Sequence, residues 1–199
     1  MKMKINSKQI KIKQNTDYPW SGKVDIEISP EDTAEFTFGF RIPGWSDDFQ
    51  VKINQKEIKP EIENGYARIK RKWEKGDNIS INFSIEVKRI YSNPKIRENA
   101  GKVALQRGPV VYCLEEVDNG SNLASIVLPQ DANILGEFNK ELLGGIYELK
   151  AEAYRSNNES DELYTSQKPE LKKTKIKAIP YYAWNNRGPG EMRVWLRQG

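Results

Sequence analysis

The stretch VDIEIS, residues 24–29, sets Val24, Ile26 and Ile28 against Asp25, Glu27 and Ser29. Successive side chains of a strand point to opposite faces, so this alternation predicts a strand with one apolar and one wet face. EFTFGFRI, residues 35–42, repeats the pattern with Phe36, Phe38 and Phe40. Working outward, FQVKIN offers Phe49, Val51 and Ile53, and YARIKRKW offers Ala67, Ile69 and Trp73. ISINFSIEV, residues 79–87, reads as one strand carrying Ile79, Ile81, Phe83, Ile85 and Val87. Turn signals separate these runs: Ser29-Pro30, Pro43-Gly44, Asn64-Gly65 and EKGDN around Gly76. Asn-Gly supplies the positive φ values that a tight hairpin requires. Short strands at this spacing, with no helical period between them, predict an antiparallel β-sandwich, of which a jelly roll is the closest variant.

The polar segment YSNPKIRENAGK, residues 91–102, carries Pro94 and lacks alternation, so it reads as a connector. KVALQRGPVVYCLE then opens a second set of strands, broken at Gly108-Pro109, and Pro109 favours a strand start or an edge. SIVLP (residues 125–129), ELLGGIYELKAEAYR (141–155), KIKAIPYYAW (175–184) and EMRVWLRQ (191–198) read as further strands, with a long polar loop at residues 156–173. The expected fold is therefore all-β: two consecutive antiparallel, jelly-roll-like β-sandwich domains, residues 1–91 and 92–199.

A chain of 199 residues is long enough for two such domains, and 37% apolar against 30% charged residues is a folding composition. The net charge of +4 comes from 32 basic and 28 acidic residues that are mostly interleaved, which describes a solvated surface rather than a basic stripe. The Lys2, Lys4, Lys8, Lys11, Lys13 series and KKTKIK at residues 172–177 decorate strand faces or blunt edges, and no nucleic-acid partner is expected. No apolar run is long enough to span a membrane, and no leader-like apolar stretch follows the first lysines. With a single cysteine, Cys113, no intrachain disulfide forms, and the expected location is cytoplasmic.

The chain has no histidine. That removes Ser-His-Asp and Cys-His nucleophile systems and the common imidazole-containing zinc sites. The adjacent carboxylates Asp47-Asp48, Glu115-Glu116 and Asp161-Glu162 point to opposite faces if they lie in strands, and read as solvated if they lie in loops. Cys113, between Tyr112 and Leu114, reads as a small buried apolar residue. DNGSN, residues 118–122, reads as a turn because the rest of a calcium loop is missing. No catalytic residue, metal ligand or cofactor site is expected.

The densest chemistry lies in PYYAWNNRGPGEMRVW, residues 180–195, which packs aromatics beside arginines. It reads as two strands joined by a turn at residues 185–190, with Tyr181 and Ala183 on one face and Tyr182 and Trp184 on the other. Arg187 and Arg193 read as anchors for loop carbonyls or carboxylates. The candidates for sugar stacking or for contact with another domain are Trp20, Trp45, Tyr182, Trp184 and Arg187, because flat rings and guanidinium planes serve both roles. Trp73 and Trp195 read as core or interface residues.

Taken in order, DYPWSGKVDIEI, FGFRIPGW, NGYARIKRKWEKGD, NPKIRENAGKVALQRGPVVYCLE, ELLGG and IPYYAWNNRGPGEMRVW resemble the region after the catalytic barrel in family 127 glycoside hydrolases. Characterised members of that family include β-L-arabinofuranosidases. The resemblance runs from about Lys8 to Leu196. It implies an N-terminal (α/α)6 barrel that holds a zinc-bound cysteine nucleophile and a catalytic glutamate, followed by two β-sandwiches. The chain resembles the two sandwiches alone, so the implied zinc belongs to the missing barrel, and Cys113 resembles a sandwich-strand cysteine rather than the nucleophile. The expected function is a non-catalytic region that supports the barrel and supplies an oligomer surface. The alternatives are a free-standing module that binds plant-type carbohydrate and a generic structural or interaction protein.

Overall fold

The structure is a computed structural model that describes residues 1–5, 7–157 and 162–199. The chain divides into two compact units, Met1–Ile85 and Glu86–Gly199.

The first unit contains β1 (Lys2–Ile5), β2 (Lys8–Thr16), β3 (Lys23–Pro30), β4 (Ala34–Arg41), β5 (Phe49–Ile53), β6 (Lys56–Ile58), β7 (Glu61–Glu63), β8 (Tyr66–Trp73) and β9 (Asp77–Phe83). Six of them form one antiparallel sheet in the order β1-β2-β3-β9-β5-β6, and β4-β8-β7 form a second. The period-two pattern sets the register. Ile26 sits opposite Ile79, and Val51 opposite Ile81, so the apolar residues line up on one face. That face shares a single core with Ile69 and Trp73 of β8, against which Phe36, Phe38 and Phe40 of β4 pack. Trp73 is fully buried, and its indole N–H donates to the Phe36 carbonyl at 3.0 Å. The Phe36 ring lies 5.7 Å from it and the Phe38 ring meets it edge-on at 6.3 Å. Asn64 and Gly65 both take positive φ, 50° and 77°, and close the β7–β8 hairpin as an Asn-Gly pair should. Gly22 is required for another reason: a Cβ there would stand 1.9 Å from the Phe83 carbonyl oxygen.

The second unit contains β10 (Val87–Tyr91), β11 (Lys102–Arg107), β12 (Val110–Glu115), the short helix α1 (Glu116–Asn119), β13 (Ile126–Leu128), β14 (Ile134–Asn139), β15 (Ile146–Asn157), β16 (Glu170–Pro180), β17 (Met192–Arg193) and β18 (Leu196–Gln198). Their pairings run β11-β18-β13-β15-β16-β12 and return to β11, a closed ring of six strands. β11 accomplishes the closure by meeting β18 at Lys102–Val103 and β12 at Gln106–Arg107. The ring encloses a core of Leu105, Tyr112, Leu114, Leu123, Leu128 and Leu149 with their neighbours, and β10, β14 and β17 add to it as strands with one partner each.

Several expectations change. The run at residues 79–87 is broken, since β9 ends at Phe83 and β10 begins at Val87, with the divide between the units in the gap. The divide thus precedes β10, which pairs along β11 and belongs to the second unit; the expected joint at residue 91 falls after that strand. The sheets are not purely antiparallel, because β13 and β18 pair in parallel through Val127 and Arg197. The polar loop is shorter than residues 156–173: Asn157 pairs with Glu170 and Ser156 with Leu171, so the β15–β16 ladder extends into it. ELLGG is a turn that precedes β15, and ILGEFN forms β14, a strand the alternation did not reveal. Finally, KIKAIPYYAW is a strand only as far as Pro180, after which Tyr181–Ala183 form a 3-10 turn. The reason is local: Pro180 adopts φ −52° and the Trp184 N–H donates back to the Tyr181 carbonyl at 3.1 Å, which curls the chain out of the sheet.

Candidate functional site

The end of β12 points Glu115 into the protein, where it is 5% exposed. Its carboxylate receives three hydrogen bonds from the C-terminal segment. The Asn185 N–H donates to Oε1 at 2.9 Å, while Arg187 donates to Oε2 from Nε at 3.1 Å and also from Nη2. The same Nη2 donates to Asp118 in α1. Lys177 of β16 brings its Nζ to within 2.5 Å of the other Asp118 oxygen and 3.4 Å of Glu148. Asn119 stitches the helix to the sheet, since its amide donates to the carbonyls of Glu115 (2.8 Å) and Lys177 (2.9 Å) and accepts from the Lys177 N–H. On the far side, the Glu191 N–H donates to Glu116, and the Glu191 carboxylate accepts from the N–H groups of Asn122 and Leu123.

Glu115, Asp118 and Glu148 thus form a largely buried ionic network in which each carboxylate is met by a cation, while Glu116 and Glu191 cap backbone N–H groups beside it. Burial raises the Asp118 pKa, but the hydrogen bonds from Arg187 and Lys177 and their positive charges outweigh it, so the carboxyl is held below its ordinary value. Arg187 shows the complementary balance: burial lowers its pKa, and its bonds to Asp118 and Glu115 raise it further than burial lowers it. Such a network is stiff and chemically quiet. Its product is a fixed turn that presents Tyr181, Tyr182 and Trp184 at the surface, 45%, 62% and 40% exposed, while Ala183 between them is buried. The Tyr181 and Trp184 rings lie nearly parallel, 7° apart in plane with centroids 6.3 Å apart.

The structure distributes the expected contact residues between the units. Tyr182, Trp184 and Arg187 fall within this one turn, but only the two rings face outward; Arg187 is turned inward onto Glu115 and Asp118. The expected opposition of Tyr181 to Tyr182 fails because the segment is not a strand, so all three rings are solvent-facing. Trp20 and Trp45 lie in the first unit and are half-buried. Trp45 packs on the core with its ring edge-on to Phe83 at 6.0 Å and 6.2 Å from Tyr18. Arg193, expected as an anchor like Arg187, makes no side-chain hydrogen bond or ion pair among the described residues.

Glu115, Asp118 and Lys177 escaped the sequence reading as site residues. The pair Glu115-Glu116 straddles the end of β12 rather than lying within a strand: Glu115 meets Arg187, and Glu116, the first residue of α1, accepts from the Glu191 N–H. Asp47-Asp48 sits on an exposed loop, where Asp48 accepts from the Phe49 N–H. Asp161 of the third pair lies outside the described residues. Cys113 is 1% exposed, and burial, reinforced by the nearby Glu115 charge and opposed by Arg187, pushes its thiol up to about 12. A thiol held that far from ionisation is a packing group. Among the described residues, no three of the cysteine, aspartate and glutamate side chains gather as a metal-holding group, and no helix is long and apolar enough to cross a membrane.

Comparison with known proteins agrees with the division into units. Residues 1–85 match the model of the β-L-arabinofuranosidase GH127 middle domain, and residues 87–197 match that of the glycoside hydrolase family 127 C-terminal domain. A non-reducing end β-L-arabinofuranosidase of Bifidobacterium longum subsp. longum is 33% identical over 200 residues, covering 94% of this chain and 30% of the relative. The crystal structure of a GH127 β-L-arabinofuranosidase from Geobacillus stearothermophilus T6 superposes on the whole chain with a TM-score of 0.97 at 47% identity. A second GH127 β-arabinofuranosidase structure does so with a TM-score of 0.89 at 33% identity. The chain spans 32% and 33% of those two solved chains, about a third of the length of its relatives. With one family model on each unit, the chain belongs to glycoside hydrolase family 127, of which it carries the middle and C-terminal domains.

Proposed function

We propose that the chain is the non-catalytic β-sandwich region of a β-L-arabinofuranosidase-like glycoside hydrolase, and that it buttresses an N-terminal (α/α)6 catalytic barrel. The observation that carries this reading is the superposition on the Geobacillus enzyme, which takes in all of this chain and only 32% of the other. In the first unit, one core lies between a six-stranded and a three-stranded sheet, which supports a jelly-roll-like sandwich there; we read the second unit as a sandwich whose sheets join through β11.

Chemistry supports placing catalysis elsewhere. The family's implied zinc-thiolate site needs ionised sulfur with further ligands around it. This chain supplies one buried thiol and no imidazole, so its residues do not fit that metal. We read the zinc, the nucleophile and the sugar specificity as properties of the barrel. The buried free Cys113 fits a reducing, cytoplasmic setting, and the exposed rings of Tyr182 and Trp184 offer surface to the barrel or to a second copy in an oligomer.

Sequencing the gene upstream of the Met1 codon tests the reading. The expected result is an in-frame region coding for a helical barrel. A stop codon directly upstream, with no barrel gene expressed alongside, would leave the chain without the partner proposed for it.

A further inference from the structure

The second unit has an open cleft of about 430 Å³ whose walls come from four places in the chain. Glu98 and Asn99 belong to the 3-10 turn after β10, Lys102 opens β11, Arg193 ends β17 and Trp195 follows it, and Tyr181 stands on the aromatic turn. The cleft is an open surface depression rather than an enclosed pocket.

Three polar side chains in it are unspent. Glu98, Asn99 and Arg193 make no side-chain hydrogen bond or ion pair among the described residues, although each lines the same cleft. Lys102 donates to the Glu98 backbone carbonyl at 2.6 Å, which holds the turn against the strand while its remaining N–H groups stay available. The cleft thus combines a carboxylate acceptor, an amide that both donates and accepts, and a guanidinium fork. Tyr181 adds an aromatic wall, and its ring is steadied by the parallel ring of Trp184.

This combination selects for chemistry. A phosphate would find Lys102 and Arg193 opposed by Glu98, and an apolar peptide would have to desolvate three charged groups. A saccharide meets each element with a complement: adjacent hydroxyls bridge planar carboxylate, amide or guanidinium groups in pairs, and the C–H face of the ring lies on the aromatic wall. We propose that this cleft is a saccharide-binding site on the C-terminal domain, with Tyr181 as stacking platform and Glu98, Asn99 and Arg193 as the hydroxyl-reading groups. It adds a function to the buttressing role and does not depend on it.

The test is titration of the purified chain with L-arabinose, methyl β-L-arabinofuranoside and xylobiose, followed by saturation-transfer NMR and by tryptophan fluorescence. The fluorescence includes Trp195, which lines the cleft, and Trp184, whose ring lies parallel to that of Tyr181, and the cleft variants localise the binding. Saturable binding of at least one sugar is expected. Tyr181→Ala and Glu98→Gln should each weaken it about tenfold or more, and Tyr66→Ala in the other unit should leave it unchanged. Tyr181 and Glu98 are exposed, so both variants should keep the wild-type unfolding midpoint, which circular dichroism checks. Absence of saturable binding by all three sugars, or equal binding by the two cleft variants and wild type, would overturn the proposal. Either failure leaves the barrel reading standing, because that reading is tested at the gene.

Discussion

Arg187 Nε donates to Glu115 Oε2 at 3.1 Å across 72 residues of sequence, and through that bond the C-terminal aromatic turn is tied to the end of β12. The same guanidinium reaches Asp118, so one cation bridges two buried carboxylates, the second of which also meets Lys177.

Removing that cation leaves buried Glu115 without a cationic partner and Asp118 with Lys177 alone. Arg187→Ala should destabilise the second unit by about 3–5 kcal/mol, the range for an uncompensated buried charge. In a thermal melt this appears as a drop of several degrees or more. Arg187→Lys should recover only part of the loss, since an ammonium cannot reproduce the fork on Glu115. A melting temperature within about 1 °C of wild type for the alanine variant would show that the network carries no stability.

The same network makes stability depend on acid. The folded pKa of Asp118 lies below its unfolded value, because the bonds from Arg187 and Lys177 outweigh burial. Its contribution is therefore fully present above the unfolded pKa, near 4, and is lost as pH falls through the lower folded pKa. Urea midpoints measured from pH 6 down to about pH 2 should fall, and Asp118→Asn should be less stable at pH 6 and show a shallower acid decline. Parallel curves for variant and wild type would contradict this assignment.

Cys113 should resist alkylation. Its thiol is buried and pushed up to about 12, so iodoacetamide at pH 8 should label the native chain far more slowly than the urea-unfolded chain. Mass spectrometry of timed samples reads both rates. Comparable rates would mean that the β12–β16 region opens readily.

In the first unit the sharpest substitutions are Trp73→Ala and Gly22→Ala. The first leaves a cavity in the core and an unpaired Phe36 carbonyl, and should lower stability by about 3–5 kcal/mol. The second drives a methyl group into the Phe83 backbone and should lower stability by about 1–3 kcal/mol or more. Chemical denaturation monitored by fluorescence measures both; a wild-type midpoint for Gly22→Ala would mean that β9 can move away without loss.

What could be read from sequence follows from how local each signal is. The phenylalanines of β4 and the isoleucines of β3 and β9 announce their faces because alternation is written within a few residues. The Asn64-Gly65 turn is equally local. The curl at Tyr181 was missed because Ala178 to Trp184 run on without a polar break after the alternating KIKA, while the strand ends with Pro180 and a backbone bond within the turn. The pairing of Glu115 with Arg187 was hidden for a different reason: ionic partners 72 residues apart are adjacent only once β12 and β16 lie side by side. Arg187 was legible as an anchor for carboxylates, but not which carboxylates. The cleft at Glu98 and Arg193 was invisible on the same grounds, since its walls come from separate segments.

The central claim is that these domains serve a catalytic centre located outside the chain. The most direct measurement is hydrolysis of an aryl β-L-arabinofuranoside by the purified chain, supplied with zinc and reductant. The account predicts a rate indistinguishable from buffer. A rate above buffer that co-purifies with the folded chain would contradict it.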